Sequence, residues 1–311
     1  MKVLFWGTPG FAVPALRALG EEGHDIVGVV TRPDRPAGRG RHLHPSAVKV
    51  ETFESGIRVL DPESPSGADF VKEIQGLSPD VSVVVAYGRI LNREVLDAPA
   101  MGSINLHASL LPRLRGAAPI NWSIVRGDTV SGVTVMRMVE KMDAGPILLQ
   151  IEEPIQPDET ATELATRLSE IGAAALVEAL ALMEADLIEE REQDESAVTF
   201  APKLDRATAR IDWSLPASVI ADLIRGMDAQ PGAWSELSGR PLKLFRPEAD
   251  PDVIPEASPG VVVDVDPAEG LLVATGKGVI RILEVQPPGK SRMHAGAWIR
   301  GRGASVGQCF E

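Results

Sequence analysis

A chain of 311 residues exceeds what one modest core absorbs, so two domains are the expectation. Its 44% apolar and 24% charged residues are ordinary for a globular protein, and a lone cysteine, Cys309, excludes an internal disulfide framework and fits a reducing compartment. The net charge of -13 argues against indiscriminate coating of nucleic acid, although residues 205–311 hold twelve Lys/Arg against fourteen Asp/Glu, so the acidity lies earlier.

MKVLFWG leads straight into a strand pattern, which leaves no signal or transit peptide, and no apolar run approaches the roughly eighteen residues of a membrane span. The cytoplasm is the expected location. In chain order, Lys2–Trp6 reads as a strand, Phe11–Glu22 as a helix and Asp25–Val30 as a strand. Helices are expected around Ser46–Ser55 and Ser66–Gly76, then strands at Val81–Ala86, Ser103–His107 and Gly132–Val139. Strands alternating with helices, and apolar along nearly their whole length, imply a doubly wound, mostly parallel α/β sheet. Ala161–Ala185 has helical apolar spacing and opens on a capping box, Thr160 with Glu163. The acidic run after it, Ala185–Ser196, reads as a solvated linker. From about residue 206, short strands at 260–265, 271–275 and 279–285 alternate with Gly, Pro and Asp turns, and Ser238–Gly239 marks a hairpin. A small β-barrel with one or two helices fits this texture.

The sharpest chemical signal is Asn105 with His107. Alternate strand residues share a face, so both side chains point one way, and the carboxyl end of a parallel strand borders a ligand crevice. An amide donor can stabilise an oxyanion, and an imidazole can exchange a proton near neutral pH. A structural pair would look the same. Asp143, in the turn after the strand GVTVMRMV, is either an ordinary turn residue or the carboxylate that orients His107. GTPGF at Gly7–Phe11 is a tight strand-to-helix turn or an anion turn, and its spacing is not that of G-x-G-x-x-G. The other histidines show no metal-like grouping, and no metal is expected. The loop at residues 31–49 carries Arg32, Arg35, Arg39, Arg41 and Lys49 against Asp34 alone, as a loop that holds phosphates or RNA would.

Taken together, GTPGFAVPAL, TRPDRPAGRGRHLHPSAVK, VVVAYGRIL, INLHASLLPRLRGAAPI, GVTVMRMVEKMDAGPIL, ARIDWS and the region of QPPGK resemble the methionyl-tRNA formyltransferases, a branch of the folate-dependent formyltransferases, over nearly the whole chain. The resemblance implies a Rossmann-like formyltransferase catalytic domain over residues 1–189, a linker over 190–205 and an OB-like C-terminal β-barrel that binds tRNA over 206–311. It implies that Asn105, His107 and Asp143 are catalytic. 10-formyltetrahydrofolate, the formyl donor, would lie along Ser109, Leu110, Leu111 and Pro112 and in a pterin pocket at Val84, Ala86, Tyr87, Gly88 and Ile90. The acceptor would be the α-amino group of methionine on initiator methionyl-tRNA, gripped by Arg35, Arg39 and Arg41 and touched by Lys290 and Arg292. Family precedent suggests a monomeric bacterial enzyme of translation initiation. The sequence departs from the family at Gly10, where many members carry an acid, and at Ala108, where a glycine is frequent.

Three rivals frame that expectation. A formyltransferase for a small amine, such as glycinamide ribonucleotide or an amino sugar nucleotide, would resemble residues 1–190 but lack the barrel and the Arg-rich loop. A nucleotide-dependent oxidoreductase would need the glycine fingerprint that is missing. A non-enzymatic RNA-binding module would have no use for Asn105, His107 and Asp143 together.

Overall fold

The computed structural model describes residues 1–37 and 42–311. Contacts divide the chain into two units, each assembled from separate stretches. The first comprises Met1–Pro119, Val130–Pro154 and Ala165–Ala201; the second comprises Ile120–Thr129, Ile155–Leu164 and Pro202–Glu311.

The first unit is built on seven strands: β1 (Lys2–Gly7), β2 (Asp25–Val30), β3 (Val59–Leu60), β4 (Val81–Val85), β5 (Ser103–His107), β6 (Val130–Arg137) and β7 (Ile147–Pro154). Their spatial order is β7-β6-β5-β4-β1-β2-β3, parallel from β3 to β5 and antiparallel at β6 and β7. Helices Val13–Glu21, Ala47–Ser55 and Ala68–Leu77 make the crossovers. The apolar runs of β1 and β4 are buried, with Val3, Leu4, Phe5, Trp6, Val81, Val83 and Val85 at 0% exposure, which is why these strands show no polar alternation. Trp6 anchors this core: it meets Phe70 and Tyr87 edge-on at 5.9 and 5.2 Å, and its indole N–H donates to Ser82 Oγ at 3.0 Å. Winding reverses between β1 and β4, so the carboxyl ends of β1, β4 and β5 border the position where an open sheet of this kind takes ligands. GTPGF, AYGRI and ASLLP follow those three ends.

The long helix spans Ala161–Glu184. Its capping box is formed: Glu163 N–H donates to Thr160 Oγ1 at 3.3 Å and Thr160 N–H to Glu163 Oε2 at 2.9 Å. The Thr160 N–H and hydroxyl, both donating to Glu163 Oε2, lower its carboxyl below the ordinary range. The acidic segment that follows is exposed along most of its length, and it also pairs by its backbone. Arg191 and Ile147 exchange backbone bonds at 2.8 and 2.9 Å, and Phe200–Ala201 pairs in parallel with Arg115–Gly116. Composition marks the exposed acids; the backbone pairing leaves no trace in it.

The second unit carries an antiparallel sheet of Trp234–Leu237, Arg240–Asp250, Val279–Gln286, Gly270–Ala274 and Val262–Asp266, in that spatial order. Ser238 and Gly239 make the hairpin turn, both with positive φ, 51° and 71°. The sheet curls because the chain's last residues bridge both of its edges: Phe310 pairs with Leu237 and Cys309 with Val261. Cys309 is thus part of the closure through its backbone. Helix Ala217–Gly226 packs Ile220 and Ile224 into the core around Trp213, whose ring stacks on Phe310 at 5.0 Å. The mostly parallel α/β sheet followed by a small barrel-like sheet agrees with the expected fold class.

Candidate active site

β5 supplies the first two side chains. Val84 pairs with Asn105, which pairs in turn with Met136, and His107 pairs with Thr134. Asn105 is half-buried, and its carboxamide has no hydrogen-bond partner among the described residues. His107 is 6% exposed. Its Nε2 lies 3.0 Å from the carbonyl of Leu114, so this nitrogen carries the proton and donates. Its Nδ1 faces Asp143 Oδ2 at 3.8 Å, close enough for a charge interaction and too long for a formed hydrogen bond.

Asp143 comes from the loop after β6. That strand ends at Arg137, two residues short of the expected Val139, because Arg137 N–H turns to the carbonyl of Pro146 at 2.9 Å and closes the loop. Asp143 sits at φ 53°, a left-handed conformation uncommon outside glycine. Gly116 N–H donates to Asp143 Oδ2 at 2.8 Å. His107 and Asp143 thus meet at the carboxyl end of β5, with Asn105 two residues back along the same strand. Gly116 has φ 128°, and a Cβ there would stand 2.5 Å from the carbonyl oxygen of Ala201. Gly116→Ala should therefore displace the Asp143 donor and cost about 1–3 kcal/mol. Thermal melting checks this, and a variant as stable as the parent would contradict it.

The residues expected along the donor fall into two groups. Ala86, Gly88 and Ile90 are exposed, Ile90 at 81%, whereas Val84 and Tyr87 belong to the core beneath them. Tyr87 is tied to the GTPGF turn, since Thr8 Oγ1 donates to its carbonyl at 3.0 Å, and its buried hydroxyl has no partner among the described residues. Burial raises that phenol above its ordinary value. Ser109 and Leu111 are buried and internally bonded: Ser109 Oγ donates to the Arg113 carbonyl at 2.7 Å, and Leu111 N–H donates to Thr134 Oγ1 at 3.1 Å. Leu110 and Pro112 stay half-open.

The layer beneath Asp143 has no counterpart among the residues singled out from sequence. Arg115, 2% exposed, donates to Gln193 Oε1 from Nε and Nη2 at 3.0 and 2.7 Å, and from Nη2 to Glu195 at 2.9 Å. Lys141 reaches the other oxygen of Glu195 at 2.9 Å. Hydrogen bonds from Arg115 and Lys141 pull Glu195 from its ordinary 4.5 down to about 2. A depressed carboxyl contributes stability that is complete above the unfolded value and lost as the pH falls through the folded one. Glu195→Gln should therefore lower the melting temperature near pH 7, and the gap should close between about pH 4.5 and 2. Melts across that range decide it; a gap independent of pH would rule out the charge as the cause.

The cations named for RNA are distributed unevenly. Arg39 and Arg41 lie outside the described residues, and Arg35 belongs to a short ribbon, Arg35–Ala37 with His42–His44. Lys49 is not an available cation: it pairs with Asp34 and Asp61 at 2.9 and 2.8 Å, and both carboxylates raise its pKa. Lys290 is exposed. Arg292 is engaged by Asp228 at 2.6 Å and by Glu284, and lies over the Phe245 ring at 4.2 Å. The second unit also holds cations that the sequence did not nominate. Arg210, Trp234, Lys243 and Gln286 form one row across its strands, hence one face, and Arg206 and Arg210 lie over the Trp234 ring at 4.0 and 5.4 Å. Arg206, Arg210 and Lys243 have no carboxylate partner among the described residues. A groove of about 430 Å³ runs past Arg206, Trp234, Lys243 and Pro287.

Among the described residues, no group of His, Cys, Asp and Glu could hold a metal, and no helix is long and apolar enough to cross a membrane. A formyl transferase family model matches residues 1–180, and a formyl transferase C-terminal domain model matches residues 203–303. Over 302 residues the chain is 45% identical to a methionyl-tRNA formyltransferase of Moorella thermoacetica, covering 97% of this chain and 96% of that one. Among solved structures it resembles HypX from Aquifex aeolicus in complex with tetrahydrofolic acid, with a TM-score of 0.66 and 19% identity. That match covers 98% of this chain and 48% of HypX, so the chain spans about half of that protein. It also resembles an N-formyltransferase from Helicobacter canadensis in complex with folinic acid and dTDP-3-aminofucose, with a TM-score of 0.70 and 17% identity over 91% of this chain and 98% of that one.

Proposed function

The chain belongs to the formyl transferase family, and from that premise we propose that it moves the formyl group of 10-formyltetrahydrofolate to the α-amino group of methionine on initiator methionyl-tRNA. The observation that carries this acceptor is the 45% identity to a methionyl-tRNA formyltransferase across both units. The Asn105 carboxamide without a partner among the described residues, and the half-open residues beside it, fit a folate that presents its formyl group at the end of β5.

In the transfer, a bond forms between the amine nitrogen and the formyl carbon, and the bond from that carbon to N10 of the folate breaks. One proton leaves the amine and one reaches N10. Negative charge gathers on the formyl oxygen, where Asn105 donates an N–H. The long Nδ1 contact with Asp143 leaves that nitrogen of His107 open to the reacting groups, while Leu114 holds the opposite side of the ring. Each donor at such an oxygen is worth roughly 3 kcal/mol. Asp143 orients His107 and takes part in proton movement. Ala86, Gly88 and Ile90 line the pterin end, with Val84 and Tyr87 as its floor.

RNA is held, on this reading, by the Arg-rich loop with Arg35, Arg39 and Arg41, and by Lys290 with the row of Arg206, Arg210 and Lys243. Arg292, already met by two carboxylates, supports that surface more than it supplies free charge. The test is formyl transfer from 10-formyltetrahydrofolate to initiator methionyl-tRNA, elongator methionyl-tRNA, glycinamide ribonucleotide and a nucleotide-linked amino sugar. Transfer confined to the initiator tRNA is expected. Transfer only to a small amine would overturn the acceptor and leave the chemistry standing.

A further inference from the structure

We infer that Gln193 is a positioning residue for the reaction: it holds the loop that presents Asp143 to His107. The inference rests on the proposed formyl transfer. Gln193 is 8% exposed and lies in the segment that returns after the long helix. Its Nε2 donates to two carbonyls of the Asp143 loop, those of Asp143 at 2.9 Å and Gly145 at 2.8 Å. Both N–H groups of one amide are thereby spent on backbone oxygens of a loop whose Asp143 sits at φ 53°. A left-handed non-glycine residue is costly and persists only where its surroundings over-determine it. Gln193 supplies that determination from one side, and Gly116 N–H supplies it from the other by fixing the carboxylate.

The brace is itself fixed. Arg115 donates twice to Gln193 Oε1, which sets the amide so that its nitrogen, and not its oxygen, faces the loop. The backbone exchange between Arg191 and Ile147 ties the segment to β7 two residues before Gln193. The same segment supports the histidine. Thr199 Oγ1 accepts from Leu114 N–H at 2.9 Å, and the carbonyl of Leu114 receives His107 Nε2 at 3.0 Å. Residues 191–199 thus set both partners of the His107–Asp143 pair, which stand 3.8 Å apart. The side-chain hydrogen bonds of Gln193 go to Arg115, Met136 and the Asp143 loop. It acts through Asp143.

The experiment compares Gln193→Glu and Gln193→Leu in the full chain, each also combined with Asp143→Asn. Glutamate keeps the oxygen that Arg115 holds, so the fold is retained, but it replaces the amide donors with an oxygen facing two carbonyls. Steady-state transfer to initiator methionyl-tRNA should show kcat reduced by up to ~100-fold, with KM for folate and tRNA within about twofold. In the Asp143→Asn background, single-turnover rates should fall by less than about twofold further, because a positioning residue has nothing left to position. Equal losses in both backgrounds would assign Gln193 a general structural role and overturn the inference, as would an unchanged kcat in Gln193→Glu. Thermal melting and folate binding accompany each variant, so if Gln193→Leu unfolds, Gln193→Glu alone decides the outcome. A parent protein inactive toward every acceptor would overturn the underlying reading instead.

Discussion

His107→Ala lowers kcat for formyl transfer by ~10²- to 10⁴-fold and leaves KM for folate and tRNA close to the parent values. The range is what general acid–base catalysis by a placed side chain contributes. Asn105→Ala should cost ~10²- to 10³-fold in kcat, as loss of one donor at a developing oxyanion does. Because the two groups serve one transition state, the double variant should fall well short of the product of the single losses. His107 also holds the Leu114 carbonyl, and its loss leaves that buried acceptor open at a cost of about 1–3 kcal/mol of stability. Melting curves and folate titrations therefore accompany the kinetics. A variant that folds, binds folate and turns over at the parent rate would remove His107 from the mechanism.

Replacing Arg206, Arg210 and Lys243 together with alanine has the opposite signature. The chemistry is untouched, so kcat holds, while KM for tRNA rises by at least about tenfold at ~0.1 M salt. The physical reason is that three cations without carboxylate partners among the described residues stand together on a chain of net charge -13. Uncompensated like charges repel one another, and phosphates relieve that repulsion while releasing counterions. The logarithmic slope of tRNA affinity against salt should fall by about three, one for each phosphate that is no longer neutralised. The fold should survive, because the exposed guanidiniums over Trp234 contribute only about 0.5–1 kcal/mol each. An unchanged KM and salt slope would clear this row of any part in RNA binding.

The sheet is legible in the sequence where burial is complete. Lys2–Gly7 and Val81–Val85 run within one residue of the expected bounds because apolar runs walled in on both faces have one interpretation. Edge strand Ile147–Pro154 gives no such signal, since exposed Glu152 and half-buried Gln150 and Glu153 blur its alternation, as an edge tolerates. The first helix begins at Val13 and not Phe11: Gly10–Ala12 form a tighter turn, with Pro14 in the helix's opening turn, where its missing N–H costs nothing. At the site, strand period puts Asn105 and His107 on one face but does not tell a catalytic pair from a structural one, and Asp143 reads equally as a turn residue; the family resemblance singles out all three. Arg115, Gln193 and Thr199 do not. Their partners lie 48 to 85 residues away in sequence, and a glutamine inside an acidic run gives no local sign that its amide is buried under a loop. The cation row is hidden in the same way, because Arg210, Trp234 and Lys243 meet only through strand pairing.

Whether the formyl group is delivered at the carboxyl end of β5 is best decided by a crystal structure with bound 5-formyltetrahydrofolate. The folate's N5–N10 edge should lie beside Asn105, with the carboxamide nitrogen about 3 Å from the formyl oxygen or from the position that oxygen takes on N10. The pterin should rest over Ala86, Gly88 and Ile90. A folate bound with that edge remote from Asn105, His107 and Asp143 would contradict the proposed transfer site.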